Sequence, residues 1–318
     1  MSSTTDFVAA QAANRRNTIV LLVVLTLLAA MTGYAVGWLV EGEATDSVLL
    51  VSRAGIVAAA AMAAVSVGWS MVSLAIGDRL VLAMAGAKEI QTADAPQLYN
   101  VVEEMSLASG VPMPKVMVLE TEALNAFATG TSVGHGTVVV TRGLLDKLSR
   151  DELQGVVAHE MAHLANLDTR YMVVVGVTVG LIALVCDMLL RTMGWGGFGR
   201  SRSSGDKRGS GAGLLIVLLI VVAVLAPFAA KAVQMAVSRQ REYLADATSV
   251  QFTRNPNGLI SALGKLAEAA APFPGVSRAT QHLFIVNPVQ TFTANSSALL
   301  ATHPDVADRI TRLRNLGA

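Results

Sequence analysis

The sequence has little cysteine and almost no net charge. Cys186 is the one cysteine among 318 residues, so a disulfide framework is excluded. Charged residues account for 15% of the chain, and the formal net charge is +1. Residues 79–170 carry seven Lys and Arg against eleven Asp and Glu. An acidic segment of this kind repels phosphate, so we expect no nucleic-acid partner.

Hydrophobic residues, by contrast, make up 53% of the chain and concentrate in four long runs. Each run approaches or exceeds the roughly 20 residues that a helix needs to cross a bilayer. The first run is also longer than the apolar core of a secretory signal peptide, which has about 7–15 residues, so we interpret it as a retained anchor. The pattern predicts a mainly α-helical integral membrane protein with four hydrophobic helices. The runs cover residues 18–40, 54–77, 171–190 and 214–236.

Charges around the first two runs predict their orientation. Arg15 and Arg16 precede the first run, whereas Glu41, Glu43 and Asp46 follow it. By the positive-inside rule, the N-terminus lies in the cytoplasm and the loop after the first run lies outside. The second run then returns the chain to the cytoplasm, and its many small residues predict close helix packing. We expect a multi-pass protein of the plasma (inner) membrane.

The second pair of runs has two possible arrangements. Residues 191–213 between them are rich in Gly and Ser and predict a flexible loop that also carries basic residues. If both runs span, these charges lie outside, against the positive-inside rule; alternatively, the runs form a hairpin that enters and leaves on the cytoplasmic side. The predicted organisation is a cytoplasmic N-terminus (1–17), two transmembrane helices (18–78), the first part of a cytoplasmic domain (79–170), a hydrophobic hairpin (171–236) and the second part of that domain (237–318).

The pattern H-E-x-x-H occurs at residues 159–163 and predicts a metal site on a helix. Residues four apart share one helix face, so His159 and His163 can direct their imidazoles at one ion, above all zinc. Glu160 can reach a water on that ion and accept its proton. Ser149 and Glu152 form a predicted capping box at the start of this helix. The alternative is a chance match on a core helix.

A catalytic zinc site needs a third protein ligand. The remaining histidines, His135, His282 and His303, are candidates, as are many carboxylates. Glu242 is favoured because Asp246 lies four residues later on the same helix face. One carboxylate can then bind the metal while the other orients a ligand imidazole. Taken alone, the spacing E-x-x-x-D is more often part of a solvated helix surface.

Residues 79–170 also predict a small sheet next to the helix that carries H-E-x-x-H, called the metal helix below. One of its strands could bind an extended substrate by edge pairing, although an internal strand is equally compatible with the pattern. The predicted strands cover residues 115–119, 124–130 and 137–141, and the predicted helices cover 96–109, 144–148 and 150–167.

In combination, these segments resemble the HtpX-type membrane zinc metalloproteases, which are distantly related to the CAAX prenyl proteases. The motif order is specific, whereas the metal motif alone is not. Residues 191–213 depart from the family pattern and leave the topology of that hairpin open. The matching segments are the two N-terminal runs, residues 112–116, 125–130 and 159–166 with Asp168, the second apolar pair, residues 238–246, His303-Pro304 and Arg309-Ile310.

The resemblance implies an α+β zincin-like protease domain of the gluzincin kind, with one zinc ion per chain. It implies that His159, His163 and Glu242 bind the metal, Glu160 acts as base and Asp246 supports a ligand. The expected reaction is hydrolysis of peptide bonds in misfolded or damaged membrane proteins, or in unfolded polypeptides, on the cytoplasmic side of the bilayer. Membrane protein quality control and the stress response are the processes in which such an enzyme acts.

Two further residues are candidates for the site. His303 begins a terminal helix together with Pro304, and the family pattern makes it a candidate donor to the oxyanion. A merely packed or exposed histidine is the alternative. Asn125 is a weaker candidate for binding substrate.

Two other classes of function remain open from the sequence. A membrane scaffold or regulator could keep zinc for structure alone, but a purely structural site has no use for Glu160 and usually has four protein ligands. A transporter needs polar groups near the middle of its spans, and the first two runs have almost none.

Overall fold

The computed structural model describes residues 7–45, 51–178, 239–269 and 304–316. These residues divide into two compact units. The first unit comprises the described parts of residues 1–18, 74–177 and 233–318, and the second comprises those of 19–73 and 178–232. Most of the predicted hairpin at 171–236, with the loop 191–213, lies outside the described residues, as do His282 and His303.

Two long helices, α1 (Phe7–Thr45) and α2 (Arg53–Ala85), contain the first two apolar runs. Gln11–Trp38 and Arg53–Ala85 are long and apolar enough to cross a membrane. Exposed apolar side chains such as Ile19 and Val65 suit a lipid environment.

Within the second unit, small residues let α1 and α2 approach closely. A Cβ atom placed on Gly33 would lie 2.5 Å from the carbonyl oxygen of Ala58. One placed on Gly37 would clash with the backbone of Ala54. The prediction of close packing through small residues is confirmed for this pair of helices.

The first unit contains a four-stranded sheet with the order β1-β2-β4-β3. Strands β2 and β4 are parallel, and the other two pairs are antiparallel. Strand β4 is central and buried on both faces, which suits its run of valines. Among the described residues, strand β3 lies at an edge of this sheet, which is the first of the two positions that the sequence allowed. The strands are β1 (Lys88–Glu89), β2 (Lys115–Leu119), β3 (Ala126–Gly130) and β4 (Gly136–Thr141).

Two other helices of the first unit, α3 and α5, have clear start or stop signals. Pro96 opens α3, and Gly110, with φ 71°, ends it in a left-handed cap. The predicted capping box of α5 is confirmed, because Ser149 and Glu152 each accept a hydrogen bond from the other's backbone N–H. The helices are α3 (Pro96–Ser109), α4 (Arg142–Lys147), α5 (Arg150–Ala165), α6 (Arg239–Thr253), α7 (Pro256–Glu268) and α8 (Val306–Leu316); residues 168–178 are also helical.

Helix α5 lies at the centre of the first unit, packed against α3, α6, α7 and β3. It is buried along nearly its whole length, polar residues included. Its crossing with α7 is very close, because a Cβ atom on Gly155 would lie 2.6 Å from the backbone nitrogen of Leu259. Next to this crossing, Glu152 accepts hydrogen bonds from Ser261 (2.6 Å) and Lys265 (2.7 Å). Since polar groups are buried along α5, each of them needs a polar partner or an ion.

Candidate metal centre

Three buried side chains converge at the middle of α5. His159 and His163 project from the same face, and their Nε2 atoms are 3.2 Å apart. Glu242 reaches them from α6, with Oε2 3.7 Å from His159 Nε2 and Oε1 3.6 Å from His163 Nε2. The donor atoms of this group all lie within 4.8 Å of one another. The three residues favoured as ligands from sequence are therefore brought together from two helices.

The spacing of these donor atoms fits a tetrahedral metal ion. Zinc bonds of about 2.0–2.1 Å at tetrahedral angles separate two ligand atoms by roughly 3.3 Å. The two imidazole nitrogens are 3.2 Å apart, close to that value, and each has a different oxygen of Glu242 at 3.6–3.7 Å. Two imidazoles and one carboxylate form a donor set typical of catalytic zinc sites, which leave a fourth position open.

A carboxylate supports each of the two imidazoles from behind. Asp246 Oδ1 lies 3.0 Å from His159 Nδ1, and Asp168 Oδ2 lies 2.9 Å from His163 Nδ1. Each Nδ1–H can donate to its carboxylate, which leaves the Nε2 lone pair directed at the other ligand atoms. The position of Asp246 matches the prediction from its spacing to Glu242. Asp168 was named only as part of a motif, without a role.

Arg309 is a buried component of the site that the sequence analysis names only as part of a matching segment, without a role. It lies on α8 with 1% of its surface exposed. Its guanidinium donates from Nε to Asp246 Oδ2 (2.9 Å) and from Nη2 to Asp246 Oδ1 (2.7 Å). Nη1 lies 3.6 Å from Glu242 Oε2. The sequence does contain a sign of this burial, because Arg309 is a charged residue within the apolar stripe that Ile310 and Leu313 continue along α8.

The electrostatics of the group favour positive charge at its centre. Burial opposes protonation of His159, but hydrogen bonds to Asp246 and Glu242 outweigh it and raise the pKa of His159 to about 9. Burial likewise opposes the charge on Asp246, but Arg309 and His159 outweigh it and lower the pKa of Asp246 to about 2. The surrounding carboxylates thus suit a cation held between the imidazoles.

Glu160 lies beside the ligand group and is 2% exposed. Burial raises the pKa of its carboxyl group, an effect that His159 and His163 partly offset. The backbone N–H of Ala128 on β3 also donates a hydrogen bond to Glu160. Glu160 thus projects from the metal helix toward strand β3. A raised pKa brings its carboxyl group closer to neutral pH, as a general base requires.

The remaining candidates lie in different places. Asn125 directly precedes β3, where its backbone N–H donates to Thr141 Oγ1 (3.0 Å) and its Oδ1 accepts from the N–H of Ala126 (3.0 Å). His135 is in the turn before β4, with Nδ1 3.0 Å from Ser132 Oγ, and is not part of the ligand group. The oxyanion role suggested for His303 falls outside the described residues.

Comparison with known proteins identifies the family. The profile of Peptidase family M48 matches residues 92–317. The chain is 40% identical to a "Protease HtpX homolog" from Thermoanaerobacter pseudethanolicus over 96% of both chains. It is 37% identical to one from Listeria monocytogenes, over 96% of this chain and 98% of the relative. The crystal structure of S. mikatae Ste24p matches with a TM-score of 0.48 and 20% identity, covering 78% of this chain and 56% of that one.

The match covers the H-E-x-x-H helix, strands β2 to β4, and helices α6 to α8. The relatives align along nearly their entire length, so the two apolar helices are included as well. The chain therefore belongs to peptidase family M48 and is a membrane-associated metalloprotease, which uses a metal cofactor to hydrolyse peptide bonds.

Proposed function

We propose that the metal is zinc, one ion per chain, and that His159, His163 and Glu242 are its protein ligands. The observation that supports this assignment is the convergence of their buried donor atoms, one from each residue, within 4.8 Å of one another. Borderline-soft zinc suits two imidazoles and a carboxylate better than magnesium or calcium, which prefer oxygen ligands.

Zinc held at this position would supply Lewis acidity, which makes water nucleophilic near neutral pH and polarises a peptide carbonyl. Asp168 and Asp246 keep the ligand imidazoles in the tautomer that presents Nε2. Arg309 donates a hydrogen bond to each oxygen of the Asp246 carboxylate, and this bidentate contact fixes the carboxylate beside His159.

Glu160 carries the proton in this mechanism. Its carboxylate accepts a proton from water as the water oxygen attacks the carbon of the scissile carbonyl. The same carboxyl then donates the proton to the nitrogen of the leaving amine as the C–N bond breaks. One water molecule is consumed, both of its protons end on the amine nitrogen, and a carboxylate and a protonated amine are formed.

Edge strand β3 is suited to bind an extended substrate. Thr141 N–H donates to the carbonyl of Asn125, so alternation along the antiparallel pair directs the backbone groups of Ala126, Ala128 and Gly130 away from β4. Three of these groups already have partners, since the N–H groups of Ala126 and Ala128 donate to Asn125 and Glu160 and the Gly130 carbonyl accepts from Thr169. We therefore infer that a substrate strand pairs with the carbonyl oxygens of Ala126 and Ala128, which brings it past Glu160. Asn125 remains a weaker proposal for substrate binding, and His303 remains a proposed donor to the oxyanion.

We place the active site on the cytoplasmic face of the plasma (inner) membrane. The beginning of α1, up to residue 18, belongs to the unit that holds the ligand group. Arg15 and Arg16 lie in that part of α1, and basic residues mark the cytoplasmic side of a span. The proposed substrates are misfolded or damaged membrane proteins and unfolded polypeptides, in membrane protein quality control and the stress response.

The variant Glu160→Gln tests the mechanism and separates an enzyme from a scaffold that keeps zinc for structure. An amide of nearly the same shape preserves packing and metal binding but cannot act as a base. We expect Glu160→Gln to be folded and zinc-loaded, with cleavage of an unfolded model polypeptide reduced by about 10⁴-fold or more. Glu103→Gln, at an exposed site on α3, is the matched control and should cleave like wild type. Wild-type activity in Glu160→Gln would contradict the proposal.

A further inference from the structure

The beginning of α1 binds the end of the metal helix within the first unit. Gln11 Nε2 donates to the carbonyl oxygen of Ala165 (2.6 Å), and Asn14 Nδ2 donates to that of Asn166 (2.9 Å). Asn14 is only 5% exposed, although its neighbours Arg15 and Arg16 are exposed. A buried amide is costly unless it is hydrogen-bonded, so its partners indicate what it does.

Asn14 makes a second contact that leads into the metal centre. Its Nδ2 also donates to Asp168 Oδ1 at 2.6 Å. The other oxygen of that carboxylate, Oδ2, lies 2.9 Å from His163 Nδ1. His163 Nε2, on the far side of the ring, faces His159 and Glu242. A continuous chain of hydrogen bonds therefore joins the first apolar helix to a proposed zinc ligand.

The direction of the Asp168 carboxylate depends on what binds each of its oxygens. If Oδ1 were released, the carboxylate could rotate about its Cβ–Cγ bond and its contact with His163 would be lost or bent. The Asn14 amide is closer to Oδ1, at 2.6 Å, than Arg241 Nε, at 3.6 Å. Asn14 also donates to the Asn166 carbonyl, so its amide is held at two points. It is thus a short and well-fixed restraint on Asp168.

We propose that Asn14 is a positioning residue of the metal centre, which sets the orientation of His163 through Asp168. The proposal rests on the zinc site described above. It makes the first apolar helix a structural part of the protease site and not only its attachment to the membrane. A change at Asn14 therefore alters metal binding at a residue 149 positions later in the chain.

The test compares two variants of the full-length protein in detergent. Asn14→Leu keeps the side-chain volume but removes the donor. Gln11→Met does the same one turn earlier, where the amide donates to the carbonyl oxygen of Ala165 at the end of α5. Zinc affinity is measured by competition with a chromogenic chelator, and ligand geometry by the absorption spectrum of the cobalt(II)-substituted protein. We expect Asn14→Leu to bind zinc about 10-fold more weakly, with a shifted cobalt spectrum, and Gln11→Met to match wild type.

A double-mutant cycle tests whether Asn14 acts through Asp168. Asp168→Ala should weaken zinc binding by about 10–100-fold, and adding Asn14→Leu should cause no further loss. Equal behaviour of Asn14→Leu and Gln11→Met, or additive losses in the cycle, would overturn the proposal. If Asn14→Leu does not fold, Asn14→Ser, whose hydroxyl cannot span both acceptors, should show the same spectral shift to a smaller degree.

His163→Ala separates this proposal from the zinc site itself. If His163→Ala binds zinc as tightly as wild type, the ligand assignment is wrong, and the role of Asn14 falls with it. If His163→Ala loses zinc while Asn14→Leu retains wild-type affinity and spectrum, the zinc site stands and only the role of Asn14 is wrong.

Discussion

Arg309 and Asp246 form a bidentate ion pair at the metal centre, with N–O distances of 2.7 and 2.9 Å. The pair joins α8 to α6, and both side chains are almost completely buried. A guanidinium and a carboxylate that share two hydrogen bonds have a fixed relative orientation. Because Asp246 also contacts His159, the position of α8 is coupled to that of a proposed zinc ligand.

Replacing Arg309 by Met should make the fold dependent on zinc. Loss of the guanidinium leaves Asp246 and Glu242 buried beside each other without their cation, which typically costs about 3–5 kcal/mol. Bound zinc would offset part of this cost. We expect a lower melting temperature in chelator, and a larger increase on adding zinc than wild type shows, both measured in detergent.

Arg314→Met is the matched control, because Arg314 is an exposed arginine on the same helix. It should leave both melting temperatures close to those of wild type. Equal zinc-induced shifts in Arg309→Met and wild type would show that Arg309 does not balance the charge of the site.

The ligand and the supporting carboxylate on α6 should differ in their effect on metal content. Glu242→Ala removes a donor atom and should abolish stoichiometric zinc binding, measured by elemental analysis after dialysis. Asp246→Ala leaves all three donors in place but frees the His159 ring, and should reduce zinc affinity by about 10–100-fold. Equal zinc content in Glu242→Ala and wild type would refute Glu242 as the third ligand.

Glu152 should stabilise the contact between α5 and α7 in a pH-dependent way. Burial alone would raise the pKa of Glu152, but hydrogen bonds from Lys265, Ser261 and Ser149 outweigh it and lower the pKa to about 2, from an ordinary value of 4.5. Since the folded-state pKa is lowered, the stabilisation is fully present above pH 4.5 and is lost as the pH falls toward 2. Glu152→Gln should therefore be less stable than wild type at pH 7 by about 1–3 kcal/mol, and the difference should shrink across that window.

The measurement is thermal unfolding in chelator, so that release of metal does not contribute. Glu89→Gln serves as control, because the Glu89–Lys115 pair at 3.1 Å is more than half exposed. A pair of that kind contributes little to stability. A stability difference for Glu152→Gln that stays constant between pH 7 and pH 3 would argue against the ion pair as its cause.

Both halves of the proposed site should lie in the cytoplasm. Single cysteines placed at Glu103 and Gln251, which are exposed on α3 and α6, should resist an impermeant thiol reagent added to intact cells. A cysteine at Val51, which is 66% exposed between the two candidate spans, should be labelled. Cys186 is replaced in every variant. Labelling of position 103 or 251 from outside would contradict the proposed orientation.

The part of the site that sequence could predict is the part encoded by local spacing. The four-residue intervals from His159 to His163 and from Glu242 to Asp246 place these side chains on single helix faces. The capping box at Ser149 fixed the start of α5 within one residue. The β-branched residues of β4 predict a strand there, but they do not predict that it pairs with β2.

Contacts between distant segments could not be predicted in this way. Arg309 meets Asp246 across 63 residues, and Asn14 meets Asp168 across 154. No periodicity relates such positions, since their meeting depends on how the helices pack. The two-residue strand β1 was also missed, because a pair of charged residues, Lys88 and Glu89, carries no alternating pattern.

The ion pair between α8 and α6 has a consequence for biosynthesis. Arg309 lies 150 residues after His159, so a nascent chain presents the whole H-E-x-x-H helix long before the residue that orients its supporting carboxylate is made. Until α8 leaves the ribosome, Asp246 and Glu242 lack their buried counter-charge, and the pocket that they form is costly to close. We expect an unfinished chain to remain inactive, because its metal centre still lacks the guanidinium that balances and orients these carboxylates.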